Sequence, residues 1–308
     1  MNNTQSNWKI GLTLSLITVL FWSTLPISLK IGLDAMDAWS LTWLRFLAAA
    51  VFTFFLLLFR KRLNQFKQLN RTQWLWLTIA AVMLVGNYLF FLYGLEQTSP
   101  ANAQVLIQMA PLLMTLGGVL IFKEHFSRIQ MFGASLILIG LVLFFNEQIQ
   151  LMLADTYWLG FLMMFTAALT WAIYALIQKH LSSVLSSQAI LLFIYVFASI
   201  TLLFNVKTDA FNGLTDIEWT AIIYACLNTI GAYAAFAEAI KQWQASRVGM
   251  VLAITPVVTL FFINLFASLF PELLNKENIQ SIGWIGIIAI VSGSMLASMK
   301  NQRKKDKK

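Results

Sequence analysis

Apolar residues run in long blocks along this chain, and polar residues gather in the short gaps between them. Blocks of about 20 residues with few charges fall at 9–29, 39–59, 74–95, 100–122, 128–146, 157–178, 188–206, 218–240, 247–269 and 281–299. A helix rises 1.5 Å per residue, so each block matches the hydrocarbon thickness of a bilayer, about 30 Å. The pattern predicts an all-α polytopic membrane protein with ten transmembrane helices, which between them use nearly the whole chain. No gap is long enough to hold a soluble domain. The first block lacks a small-x-small cleavage signal and exceeds the apolar core of a signal peptide, so it is expected to remain as the first helix.

Two of these blocks carry a proline near their middle. In GNYLFFLYGLEQTSPANAQVLIQMAPLL, Pro111 lies about eleven residues into the fourth block, where it removes an amide hydrogen and displaces the carbonyl of Ile107. Unsatisfied backbone at that depth is costly against lipid and belongs against protein or water. The feature recurs: Gly86 and Pro111 are 25 residues apart, as are Gly231 and Pro256. Other positions follow the same duplication. LFWSTLPISLK and LTWAIYALIQK align Trp22 with Trp171 and Lys30 with Lys179, while Gly133 and Gly140 are seven apart, like Gly286 and Gly293.

An internal repeat of five helices follows, with residues 9–146 as the first unit and 157–299 as the second. Five is odd, so the second copy must enter the membrane upside down relative to the first. Two inverted halves around one pocket can exchange conformations and open that pocket to either side, which is the physical basis of alternating access. Seven residues return to nearly the same helix face, so the glycine pairs predict close approach of the fifth and tenth helices.

Composition and charge agree with this picture. The chain of 308 residues is 59% hydrophobic and 11% charged, well below the quarter of charged residues typical of soluble domains. Its net charge of +8 could attract nucleic acid, but the distribution argues for a membrane address. With the N-terminus inside, 17 of 21 basic residues fall on the cytoplasmic side, six of them in the tail 300–308, and Lys30, Lys207 and Lys276 lie outside. Both termini are therefore expected in the cytoplasm, with the basic tail near anionic lipid. Nine of the eleven tryptophans lie near block ends, where an amphipathic ring prefers the headgroup layer; Trp22 and Trp171 lie well inside. The single cysteine, Cys226, reads as a small buried apolar residue and leaves the redox compartment open.

The paired pattern, with WLRFLAA in the second block, YGLEQTSPANAQVLIQMAPLL through the third and fourth, and RVGMVLAITPVV in the second copy, resembles the EamA-type branch of the drug/metabolite transporter superfamily. The resemblance spans almost the entire chain. It implies a ten-helix carrier of the bacterial cytoplasmic membrane, often an exporter of amino acids or other small metabolites, with a central cavity between the halves. A non-transporting membrane sensor or structural protein is the other reading.

No cluster of His, Cys, Asp or Glu has metal-ligand spacing, no nucleophile stands beside a base, and no GxxxxGK[ST] loop is present. The residues therefore imply no enzyme, metal or cofactor; the partners they imply are a small-molecule solute and the bilayer. Arg45 is the clearest intramembrane charge, either a counter-charge for a substrate carboxylate or a tethering or snorkelling arginine. Glu238 is the one carboxylate clearly within a block, either a proton carrier or the partner of Lys241 one turn on. Asn87, Asn102, Gln104, Gln108, Tyr174 and Gln178 are candidates to line a wet cavity, since unpaired amides disfavour lipid. Gln104 and Gln108 share a helix face leading to Pro111. Trp22, Trp171 and Tyr174 could wall the cavity or simply pack, and Pro26, Pro111 and Pro256 place irregular backbone beside it.

Overall fold

A computed structural model describes residues 8–122, 127–146, 155–243, 245–277 and 279–297. The helices are α1 (Trp8–Ala35), α2 (Ala38–Phe59), α3 (Arg71–Gln97), α4 (Pro100–Leu106), α5 (Met109–Phe122), α6 (Arg128–Asn146), α7 (Asp155–Leu181), α8 (Ser187–Leu202), α9 (Asp216–Gln242), α10 (Ala245–Leu252), α11 (Thr255–Leu269) and α12 (Ser281–Ala297). Among the described residues there is no strand. Among the described residues six spans are long and apolar enough to cross a membrane: Trp8–Ala35, Ala38–Phe59, Arg71–Gln97, Trp158–Leu181, Ser187–Asn205 and Asp216–Phe236. Arg128–Phe144, Thr255–Leu269 and Ser281–Ala297 are shorter apolar helices.

Local chemistry sets the helix starts. Asn70 and Gln73 form a reciprocal capping box at α3, and Thr215 and Glu218 do the same at α9. Ser99 and Ser186 each accept from the backbone amide three residues on, at the starts of α4 and α8. These caps stand where the polar gaps give way to apolar blocks.

The blocks expected at 100–122 and 247–269 each form two helices instead of one, and proline is the reason. The Ile107 carbonyl, which would bond the amide of residue 111 in a regular helix, accepts from the Ala110 amide at 2.9 Å. In the second half the equivalent orphan, the Leu252 carbonyl, accepts from the Thr255 hydroxyl. The same defect is thus closed by a tightened turn in one half and by a side chain in the other. All of α4 is buried, as is Pro256, so this irregular backbone lies inside protein. The Pro111 side chain lies outside the described residues, as do Lys123, Glu124, His125 and the tail 300–308.

Packing between helices is reciprocal. The most extensive pairings are α6 with α12, α3 with α7, α1 with α9 and α2 with α8. Gly133 faces the Gly293 carbonyl and Gly140 the Gly286 carbonyl, so α6 and α12 run antiparallel with their backbones in contact. A Cβ on any of these four would lie 2.5–2.7 Å from backbone of the other helix, which only glycine avoids. Asn87 on α3 donates to the Ala167 carbonyl on α7 at 2.9 Å, and Asn228 on α9 donates to the Phe21 carbonyl on α1 at 2.5 Å. Thr170 shares the Ala167 carbonyl and Thr24 shares the Phe21 carbonyl, repeating the arrangement.

Candidate functional site

Arg45 is the eighth residue of α2, about 10 Å along the axis from the helix start, and only 3% of it is exposed. It does not snorkel outward. Its Nε–H donates to Thr229 Oγ1 on α9 at 3.1 Å, and its guanidinium lies over the Tyr88 ring of α3, 4.6 Å from the centroid. Thr229 in turn donates to the Ala225 carbonyl of its own helix, which fixes the hydroxyl oxygen as an acceptor toward Arg45.

Aromatic side chains enclose this charge. Phe46 packs against Tyr88 and Tyr195 with ring centroids 4.5 and 5.7 Å apart. The Tyr88 hydroxyl lies near those of Tyr233 and Thr229, and Tyr174 and Tyr195 belong to the same group of four neighbouring phenols. Tyr88, Tyr174 and Tyr195 are buried; Tyr233 is half-buried. The cluster draws on α2, α3, α7, α8 and α9, so it spans both halves of the sequence.

Other sequence candidates are distributed around this cluster. Trp22 stacks its edge near Tyr233, 6.0 Å between centroids, and lies 5.5 Å from Phe236, which places it next to the same aromatic layer. Trp171 is half-buried and packs against both apolar cores of the protein. Asn87 is spent on the α3–α7 tether, and Pro26 is buried within α1. Gln104 and Gln108 are buried on the broken segment, where the Gln108 backbone amide donates to the Val105 carbonyl at 3.2 Å, while Gln178 is half-buried. Asn102 is buried at the start of α4. Glu238 accepts from Gln242 at 3.0 Å in the last turn of α9, two and a half turns from Thr229, and stands apart from Arg45. The Lys241 side chain lies outside the described residues.

Sequence reasoning missed Phe46, Tyr88, Tyr195, Thr229 and Tyr233. A signal existed for three of them: Tyr88, Tyr195 and Tyr233 lie inside apolar blocks rather than at the ends, where membrane tyrosines usually sit. A groove of about 630 Å³ runs along the apolar face of α2 from Leu44 to Phe59, outside the cluster. Among the described residues no group of three or more His, Cys, Asp or Glu could hold a metal.

Residues 9–146 and 158–299 each match the EamA-like transporter family. The chain belongs to that family. Among its relatives, an uncharacterized transporter of Haemophilus influenzae is 33% identical over 291 residues, covering 94% of this chain and 95% of the relative. The uncharacterized inner membrane transporter YhbE of Escherichia coli K12 is also 33% identical, over 294 residues, covering 94% and 91%. A probable amino-acid metabolite efflux pump of the same organism is 24% identical over 293 residues, covering 91% and 92%. A solved crystal structure shares the fold with a TM-score of 0.65 at 18% identity, covering 93% of this chain and 96% of the other. Family and relatives make the protein a membrane transporter.

Proposed function

We infer that this transporter has ten crossings, arranged as two inverted five-helix units at residues 9–146 and 157–299, with 300–308 as a basic cytoplasmic tail. It moves small organic solutes, such as amino acids or related metabolites, by alternating access. Transport runs outward through the bacterial cytoplasmic membrane, is driven by the proton gradient, and leaves both termini in the cytoplasm.

One observation carries this reading: helices at matching places in the two halves pair reciprocally, and the buried cluster lies between them. The antiparallel glycine contacts of α6 and α12 join the last helix of one half to the last of the other, as an inverted repeat requires. Reading α4 with α5, and α10 with α11, as single broken crossings brings the described helices to ten crossings. The broken segments pack beside α1 and α7, the first helices of the two halves, which favours hinge motion there. Direction and solute class draw on the relative named as an amino-acid metabolite efflux pump. A burial of Arg45 and three tyrosines below a tenth exposure suits an occluded conformation.

Reconstitution in vesicles tests the reading. Saturable movement of an amino acid or related metabolite that accelerates with an imposed pH gradient is expected. Binding without movement favours a sensor and overturns the transport reading.

A further inference from the structure

An arginine keeps its charge at any physiological pH, and burying such a charge without a counter-ion is expensive. Arg45 is 97% shielded, yet among the described residues the recorded ion pair is Lys30–Asp34 on α1, and no carboxylate meets Arg45. Of its five N–H donors, Nε uses one on Thr229; the two terminal nitrogens donate to no described group. What the guanidinium is seen to touch is neutral: the Tyr88 ring and the Thr229 hydroxyl, within a layer of buried aromatic side chains. Two buried atoms nearby in sequence are also without partners, Thr42 Oγ1 one turn before Arg45 and Asn228 Oδ1 beside Thr229. A structural tether would account for Nε alone. It leaves unexplained the terminal donors of a charge that is 3% exposed and has no described counter-ion.

We propose that Arg45 is the counter-charge for a carboxylate on the transported solute, so that the substrate class is carboxylate-bearing organic molecules with an apolar or aromatic body. The fork of terminal N–H groups matches two carboxylate oxygens bidentately, whereas a lysine would offer a point charge. The Thr229 bond and the Tyr88 ring hold the guanidinium plane in place, so little entropy is lost when the solute binds. The tyrosine and phenylalanine faces supply apolar surface for the remainder of the solute and, for an amino acid, a quadrupole that attracts its ammonium. Because Thr229 belongs to the second half and Arg45 to the first, neutralising the charge also removes a penalty for separating the halves, which couples solute binding to the conformational exchange. This inference rests on the transport reading above.

The purified full chain is tested with matched pairs: L-phenylalanine and its amide, L-leucine and its amide, benzoate and benzamide, with inorganic phosphate as the competing oxyanion. Thermal shift reads binding and vesicle uptake reads transport, for the wild type and for Arg45→Gln and Arg45→Lys. The carboxylate member of at least one pair should bind and move in saturable fashion, with its amide at least tenfold weaker. Arg45→Gln should erase that difference by about tenfold to a hundredfold, the worth of a charge-assisted hydrogen-bonded pair. Arg45→Lys should restore part of it. An amide that moves as well as its acid, or an acid preference unchanged in Arg45→Gln, overturns the carboxylate site while leaving transport intact. Carboxylate binding without flux retains the site and overturns the transport reading; response to phosphate alone overturns the carboxylate assignment; and no response to any compound overturns both. Size-exclusion profiles of the variants, with Thr229→Ser as a second perturbation that keeps the acceptor, separate loss of selectivity from loss of fold.

Discussion

Arg45 on α2 and Thr229 on α9 are 184 residues apart in the chain and 3.1 Å apart in space. Their hydrogen bond fastens the second helix of one half to the third helix of the other in a layer of buried aromatic rings. Replacing Thr229 with valine keeps the shape and leaves a buried guanidinium N–H without its acceptor. The expected loss is about 1–3 kcal/mol, read as a lower thermal midpoint in detergent, and Thr229→Ser should recover most of it.

Glycine contacts give a sharper contrast. A Cβ on Gly140 would lie 2.6 Å from the Gly286 carbonyl, whereas one on Gly86 would meet nothing closer than 3.7 Å. Gly140→Ala should therefore destabilise the protein by about 1–3 kcal/mol through forced separation of α6 and α12, and Gly86→Ala should leave the thermal midpoint nearly unchanged. Equal midpoints for the two variants would contradict the packing described.

Glu277, in the loop between α11 and α12, lies against the Ser99 hydroxyl and the Ala101 amide at the start of α4. Burial pushes its carboxyl above the usual carboxylate range, more than these two donors pull it down. A raised folded value means that the folded state holds the proton more tightly than the unfolded chain. The associated stability is fully present below the ordinary glutamate value of about 4.3 and is lost as pH rises through the higher folded value. Thermal midpoints of the wild type should fall across that window relative to Glu277→Gln, which should lack the component.

Proton coupling can be assigned with Glu238→Gln. The side chain accepts from Gln242 and stands away from the Arg45 cluster, so the substitution should leave solute binding intact. If Glu238 carries the proton, uptake driven by a pH gradient should stop while solute exchange at equal pH continues. Unchanged pH-driven uptake would remove Glu238 from the coupling mechanism.

Orientation is open to cysteine labelling, since the chain has one cysteine, Cys226, and it is buried. Lys308→Cys should be shielded from a membrane-impermeant reagent in intact cells and become reactive after permeabilisation. Labelling from outside would reverse the topology drawn from the basic residues.

The sequence by itself determined where helices begin and break, because both depend on neighbours a few residues away. Length and hydropathy gave the apolar spans, polar residues at 70 and 215 capped α3 and α9, and Pro111 and Pro256 marked the segments that split. The glycine pairs were legible for a related reason: a contact between backbones leaves no alternative residue. Burial was not legible in the same way. Lipid is as apolar as a protein core, so hydropathy cannot separate Phe46, fully buried beside Tyr88, from Phe55 in the same helix, 49% exposed. Only the tertiary structure decided which helix faces met, and with them that Arg45 is held by Thr229 and Tyr88 while Glu238 is not. Helical periodicity defines a face for each residue, but the partner of that face comes from packing between segments that lie 80 to 207 residues apart in the tethers described.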